Sequence, residues 1–97
     1  MATYIMLVKY TPKGIESIKQ SPARLDAAKK VFKAIGAEIK EFYLAMGQYD
    51  LIIVVEAPND ETLARCALDL ASKGNVSTQT LRAFKEEEYR KIIAALP

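Results

Sequence analysis

Along Thr3–Tyr10 (TYIMLVKY), β-branched and aromatic residues run almost unbroken to Thr11-Pro12. That pattern predicts a strand. Pro12–Gln20 (PKGIESIKQ) predicts one or two short helical turns. From Ser21 the period changes. Leu25, Ala28, Val31, Phe32 and Ile35 recur at spacings of three and four, with Lys29, Lys30 and Lys33 on or near the opposite side. This is an amphipathic helix. Ser21 is its expected N-cap, Pro22 its first residue and Gly36 its stop.

Ala37 to Met46 and Tyr49 to Ala57 predict a second and a third strand around Gly47-Gln48. Glycine at the first of two central positions is what a type II′ hairpin turn requires. Pro58-Asn59-Asp60-Glu61 opens another helix, with Asn59 as cap and acidic residues at the positive end of the dipole. Leu63, Ala67 and Leu70, with Cys66 and Ala71 alongside, form its apolar stripe, and Lys73-Gly74 closes it. Val76–Phe84 (VSTQTLRAF) reads as a fourth strand. Lys85–Leu96 reads as a last helix with an apolar stripe of Tyr89, Ile92, Ile93 and Leu96. Pairs Glu86–Arg90 and Glu87–Lys91 lie one turn apart on it. The stripe packs either on its own sheet or on a partner. The order β-α-β-β-α-β plus a helix is the split β-α-β, or ferredoxin-like, arrangement of an α+β domain with an antiparallel four-stranded sheet. Residues 1–97 form a single domain.

A two-residue turn pairs Met46 with Tyr49, Leu44 with Leu51, Phe42 with Ile53 and Lys40 with Val55. That face is nearly all apolar and is expected under the helices. The other face carries Ile39, Glu41, Tyr43 and Ala45 opposite Glu56, Val54, Ile52 and Asp50. In the fourth strand, Leu81 and Ala83 suit the covered face, which sends Val76, Thr78, Thr80, Arg82 and Phe84 to the open one. The first strand is apolar on both sides, so Ile5/Leu7 and Tyr4/Met6/Val8 compete for the covered side. A strand of that kind is expected when both sheet faces are buried. Two main helices cover only one, and a second copy of the sheet is the simplest cover for the other.

Composition narrows the chemistry. A chain of 97 residues with 51% hydrophobic and 27% charged residues holds one core and is not a disordered chain. The net charge of +2 gives no reason to expect a nucleic acid or an anionic membrane as partner. No histidine is present, which removes the commonest general base and zinc ligand together. Cys66 is the single cysteine, so no internal disulfide forms. It reads as a small buried hydrophobe rather than a nucleophile. Ile5–Val8 is too short for a membrane span or a signal core, and a cytoplasmic location is expected. No metal or cofactor site is expected, because the carboxylates Glu41, Asp50 and Glu56 are spread along strands and the four glycines are isolated.

Four segments stand out: Ile15-Glu16-Ser17-Ile18-Lys19-Gln20-Ser21-Pro22 with Arg24, Gly47-Gln48-Tyr49-Asp50 with the following strand to Glu56-Ala57-Pro58, Gly74-Asn75-Val76, and Thr80-Leu81-Arg82-Ala83-Phe84. Together and in this order they resemble the GYD-domain family. Gln48 makes the central motif Gly-x-Tyr-Asp. The resemblance implies a dimeric α+β barrel, with two ferredoxin-like sheets packed face to face. It also implies a homodimer or higher homo-oligomer. Relatives in the wider superfamily range from isomerases and cofactor-independent monooxygenases to proteins without clear chemistry, and a fold does not choose among them.

Two residue groups carry the functional options. Gly47, Tyr49 and Asp50 form the family motif. Asp50 either satisfies backbone N–H groups at the turn or acts as a base at the barrel mouth. Tyr43, Glu56, Thr80 and Arg82 share the open face and form a candidate pocket between sheets. Glu56 and Arg82 there either pair to fix the dimer register or grip an anionic or carbonyl-bearing ligand. The expected function is a homo-oligomeric module that binds a small molecule or serves as an accessory, without catalysis of its own. The alternative is a cofactor-independent isomerase or monooxygenase. RNA binding ranks last, because Leu51–Val55 offers no aromatic to a base.

Overall fold

The computed structural model describes all residues, Met1–Pro97. Its elements follow the expected order: β1 (Ala2–Tyr10), α1 (Pro12–Glu16), a 3₁₀ turn (Ile18–Gln20), α2 (Ser21–Ile35), β2 (Glu38–Leu44), β3 (Leu51–Ala57), α3 (Asp60–Ser72), β4 (Val76–Ala83) and α4 (Glu86–Ala94). The strands form one antiparallel sheet in the order β2-β3-β1-β4. Helices α2 and α3 cover one face. The fold class is therefore the ferredoxin-like α+β arrangement read from the residues.

Local chemistry explains the element ends. Asn59 Oδ1 accepts from the Thr62 amide at 2.9 Å and the Thr62 hydroxyl at 2.8 Å, which caps α3 as expected. Gly36 ends α2 with φ of +113°, a left-handed conformation that side chains other than glycine's resist. Ser21 differs from expectation. It is the first helical residue, and its hydroxyl lies 3.0 Å from the Tyr10 phenol instead of capping the helix.

Pairing settles the faces. Tyr4, Met6, Val8, Leu51, Ile53, Val55 and Ala57 are buried under the helices with Phe32, Leu63 and Cys66. In β1 the even-numbered set is thus the covered one, and Ile5 and Leu7 face the other way. The lower part of the hairpin keeps its expected register, with Leu44 opposite Leu51 and Phe42 opposite Ile53.

Three face assignments are corrected. First, the register shifts by one between Ile39 and Glu41, so Ile39 and not Lys40 lies opposite Val55. The bulge at Lys40 turns Ile39 toward the helices and leaves the ammonium exposed, which avoids burying a charge. Second, the strands end at Leu44 and Leu51, and no two-residue turn forms. Ala45 N–H still donates to the Asp50 carbonyl at 2.8 Å, which leaves a wider loop with Met46 in solvent and Gly47 at φ of +138°. Third, β4 is inverted relative to expectation. Thr80 lies opposite Met6 and Arg82 opposite Tyr4, on the helix side, while Leu81 lies opposite Ile5 on the open face. As an edge strand only partly overlain by α3, β4 tolerates threonines on its helix side.

Helix α4 packs on none of the other elements extensively. Tyr89, Ile92, Ile93 and Leu96 are all exposed. Arg90 Nε bonds Glu86 Oε2 at 2.8 Å, whereas the expected Glu87–Lys91 pair does not close.

Candidate functional site

The motif loop is tied to the sheet by its own side chains. Asp50 Oδ2 accepts the Tyr10 N–H at 2.9 Å, while the Asp50 N–H donates to the Val8 carbonyl at 2.9 Å. The carboxylate thus closes the end of β1 rather than the turn itself. Tyr49 spans β1 to reach β4, donating its phenol to Gln79 Oε1 at 2.7 Å, with the Lys9 ammonium 5.4 Å from the ring centre. Lys9 and Gln79 belong to the open side, so Tyr49 is not on the covered face predicted for it. Together these contacts pin the loop through Tyr49 and Asp50 to β1 and β4, while Gly47 lies in open space.

The four residues expected to share a pocket do not meet. Tyr43 and Glu56 lie on the open face. Thr80 and Arg82 lie on the helix side. Glu56 bonds Lys85 Nζ at 3.3 Å, and this pair anchors the residue that precedes α4. The Lys85 N–H in turn donates to Glu88 Oε1 at 3.1 Å. Arg82 donates to the carbonyls of Thr3 and Ala83 and stacks over Phe84 at 4.3 Å and Tyr4 at 5.6 Å. Tyr43 donates to Glu41 Oε2 at 2.9 Å, and that bond, followed by the carboxylate's charge, raises its phenol pKa. The Glu56–Arg82 pair is absent because a strand alternates sides and these two fall on opposite ones.

A different polar group emerges. The buried Tyr4 phenol donates to Asp60 Oδ1, the first residue of α3. Thr80 and Arg82 line the same groove between α3 and β4. Burial raises the Tyr4 pKa, the Asp60 hydrogen bond and charge add to this, and Arg82 opposes it. The phenol is therefore held protonated, as a donor rather than a base. The residues left two choices for β1, so Tyr4 carried no signal on its own. The Met6–Thr80 register supplies it. Burial likewise pushes the Cys66 thiol up and keeps it inert.

A second hollow lies elsewhere. A cavity of about 270 Å³ opens between α2 and the sheet, lined mainly by apolar side chains. Ser21, Arg24 and Tyr10 contribute polar groups to its wall. No helix is long and apolar enough to cross a membrane.

The GYD domain family model matches residues 4–93. A protein from Thermus thermophilus, described as a glutamine synthetase and cystathionine beta-lyase binding protein, is 37% identical over 85 residues. The match covers 87% of this chain and 90% of that one. Among solved structures, a feast or famine regulatory protein from M. tuberculosis, complexed with L-methionine, superimposes with a TM-score of 0.67 at 14% identity. That match covers 88% of this chain and 51% of the other, so this chain spans about half its length. TTHA0845, also from Thermus thermophilus, gives a TM-score of 0.57 at 24% identity, covering 88% and 95%. These structural likenesses concern the fold alone.

Proposed function

The chain belongs to the GYD domain family, and from that footing we propose that it is a homo-oligomeric accessory module that docks on other proteins and performs no catalysis of its own. One observation carries this reading. The sheet face away from the helices presents Ile5, Leu7, Ile52, Val54 and Leu81, and nothing in the chain lies over its centre. A contiguous apolar face of this kind favours association. A two-fold pairing of sheets is the simplest way to bury it, with Tyr43 and Glu56 as polar contacts at its margin. The uncovered stripe of α4 offers a second association surface.

The relative named for binding glutamine synthetase and cystathionine beta-lyase supports the accessory role. The separation of Tyr43 and Glu56 from Thr80 and Arg82 favours this reading over an isomerase or monooxygenase, since the four residues do not form one cluster.

Light scattering on the purified chain tests the assembly, and we expect a mass of at least two chains. Val54→Glu places a charge in the apolar face and should give the single-chain mass. Biosensor titration against the host's purified glutamine synthetase and cystathionine β-lyase tests the docking. A single-chain mass for the unmodified protein sinks the paired-sheet reading. Failure to bind either enzyme sinks the extension from the Thermus relative.

A further inference from the structure

We propose that the cavity between α2 and the sheet binds a small monocarboxylate with an apolar body, its head held by Arg24. The inference does not rest on the paired-sheet reading, because this cavity lies on the helix side of the sheet.

Shape argues for the apolar body. Leu25, Ala28 and Val31 of α2 face Phe42, Ile53 and Val8 of the sheet across about 270 Å³. Leu25, Ala28, Val31 and Phe42 remain only half-buried although they lie on core-facing sides. Side chains around an unfilled space lose dispersion contacts that an occupant restores. An apolar cavity of about 150 Å³ accommodates benzene, so this one suits a body of roughly eight carbons.

Charge argues for the carboxylate. Arg24 lines the cavity, and its hydrogen bonds run to neutral oxygens: the Ser17 carbonyl at 3.0 Å, the Ser17 hydroxyl at 3.1 Å and the Gly14 carbonyl at 3.2 Å. A guanidinium carries five N–H donors, and these three bonds leave two. That is the number a carboxylate accepts in its forked geometry. Lys73 and Asp69 also line the cavity but neutralise each other at 3.8 Å, so Arg24 is the cation without a carboxylate against it. One uncompensated charge matches a monoanion and not a phosphate dianion. Ser21, one helical turn before Arg24, shares the wall and adds a hydroxyl beside the head.

Calorimetric titration with sodium octanoate tests the proposal, with octan-1-ol as the uncharged control. Octanoate should bind one per chain, with octanol about tenfold weaker or worse. Ala28→Phe fills the cavity from the helix side and should abolish binding while the fold persists by circular dichroism. Arg24→Gln should weaken octanoate by about tenfold or more and leave octanol unchanged. Arg24 also ties down Gly14 and Ser17, so the octanol comparison and Ala28→Phe keep the test sound if that variant loosens. Absence of octanoate binding at roughly 10 mM, equal binding by Ala28→Phe, or octanol binding as tightly as octanoate overturns the proposal. Octanoate binding that appears only in a dissociated Ile92→Asp, Ile93→Asp variant also overturns it, since the cavity then seats the partner's α4.

Discussion

Tyr4 carries an unusual load for one side chain. Its ring is part of the core, its oxygen holds the first residue of α3 through Asp60, and Arg82 lies over its face. The hydrogen bond exists only while the phenol keeps its proton. Burial, with Asp60 reinforcing it, raises the folded-state pKa above the ordinary 10.0. The native protein therefore holds this proton more tightly than the unfolded chain does. Its stabilising contribution is whole below about pH 10 and disappears as pH climbs through the raised folded value. We expect Tyr4→Phe to cost about 1.5 kcal/mol at neutral pH, the scale of a hydrogen bond to a charged acceptor. Denaturant melts across the alkaline range should show wild-type stability falling more steeply than that of Tyr4→Phe, so that the gap narrows. A gap that stays constant would mean the phenol does not titrate differently on folding.

At the scale of elements, the motif loop is held by side chains that reach sideways, not by the turn geometry of its own two strands. Asp50 is the clearest case. Its carboxylate accepts the terminal N–H of β1, whereas its backbone bonds to Val8 and Ala45 do not depend on the side chain. Asp50→Ala should therefore keep the hairpin but free the Tyr10 amide. The expected loss is about 1.5–3 kcal/mol, with amide exchange accelerated at Tyr10 far more than at Ile53. Asp50→Asn, which retains an acceptor, should recover much of it. Element order was legible because each helix and strand carries its own local period and its own breakers, as Gly36 and Asn59 do. The faces were less legible. A strand's two sides are distinguished by what lies over them, and Ile5 and Met6 are equally apolar. The bulge at Lys40 moved Ile39 to the covered side, and Leu81 drew β4 to the wrong side because the open face is apolar too. That inversion is what separated Thr80 and Arg82 from Tyr43 and Glu56. The cavity beside Arg24 had no local signature, since it depends on the distance between α2 and the sheet.

For the whole molecule, the proportions argue for company. The Cα radius of gyration is 14.6 Å, against about 13 Å for a compact chain of this length. The principal extents are 52 × 31 × 17 Å. The thin axis leaves room for one sheet and one helical layer, and α4 packs extensively on no other element. Only 14 of 97 residues are buried, so the core of the single chain is small for the entropy it must offset. Association that buries Ile52, Val54 and Leu81 would stabilise the folded state by mass action, since an unfolded chain presents no matching face. Thermal melts of the unmodified protein should accordingly shift upward as concentration is raised from about 1 to about 100 μM. Val54→Glu should melt lower and at a temperature independent of concentration, because its stability no longer includes the interface. Ile92→Asp with Ile93→Asp separates the two surfaces. If α4 holds the assembly, that variant too loses the concentration dependence; if the sheet face alone does, it keeps it. A wild-type midpoint that does not move over this range would leave the small core as the chain's whole stability and the open face as a surface for other proteins.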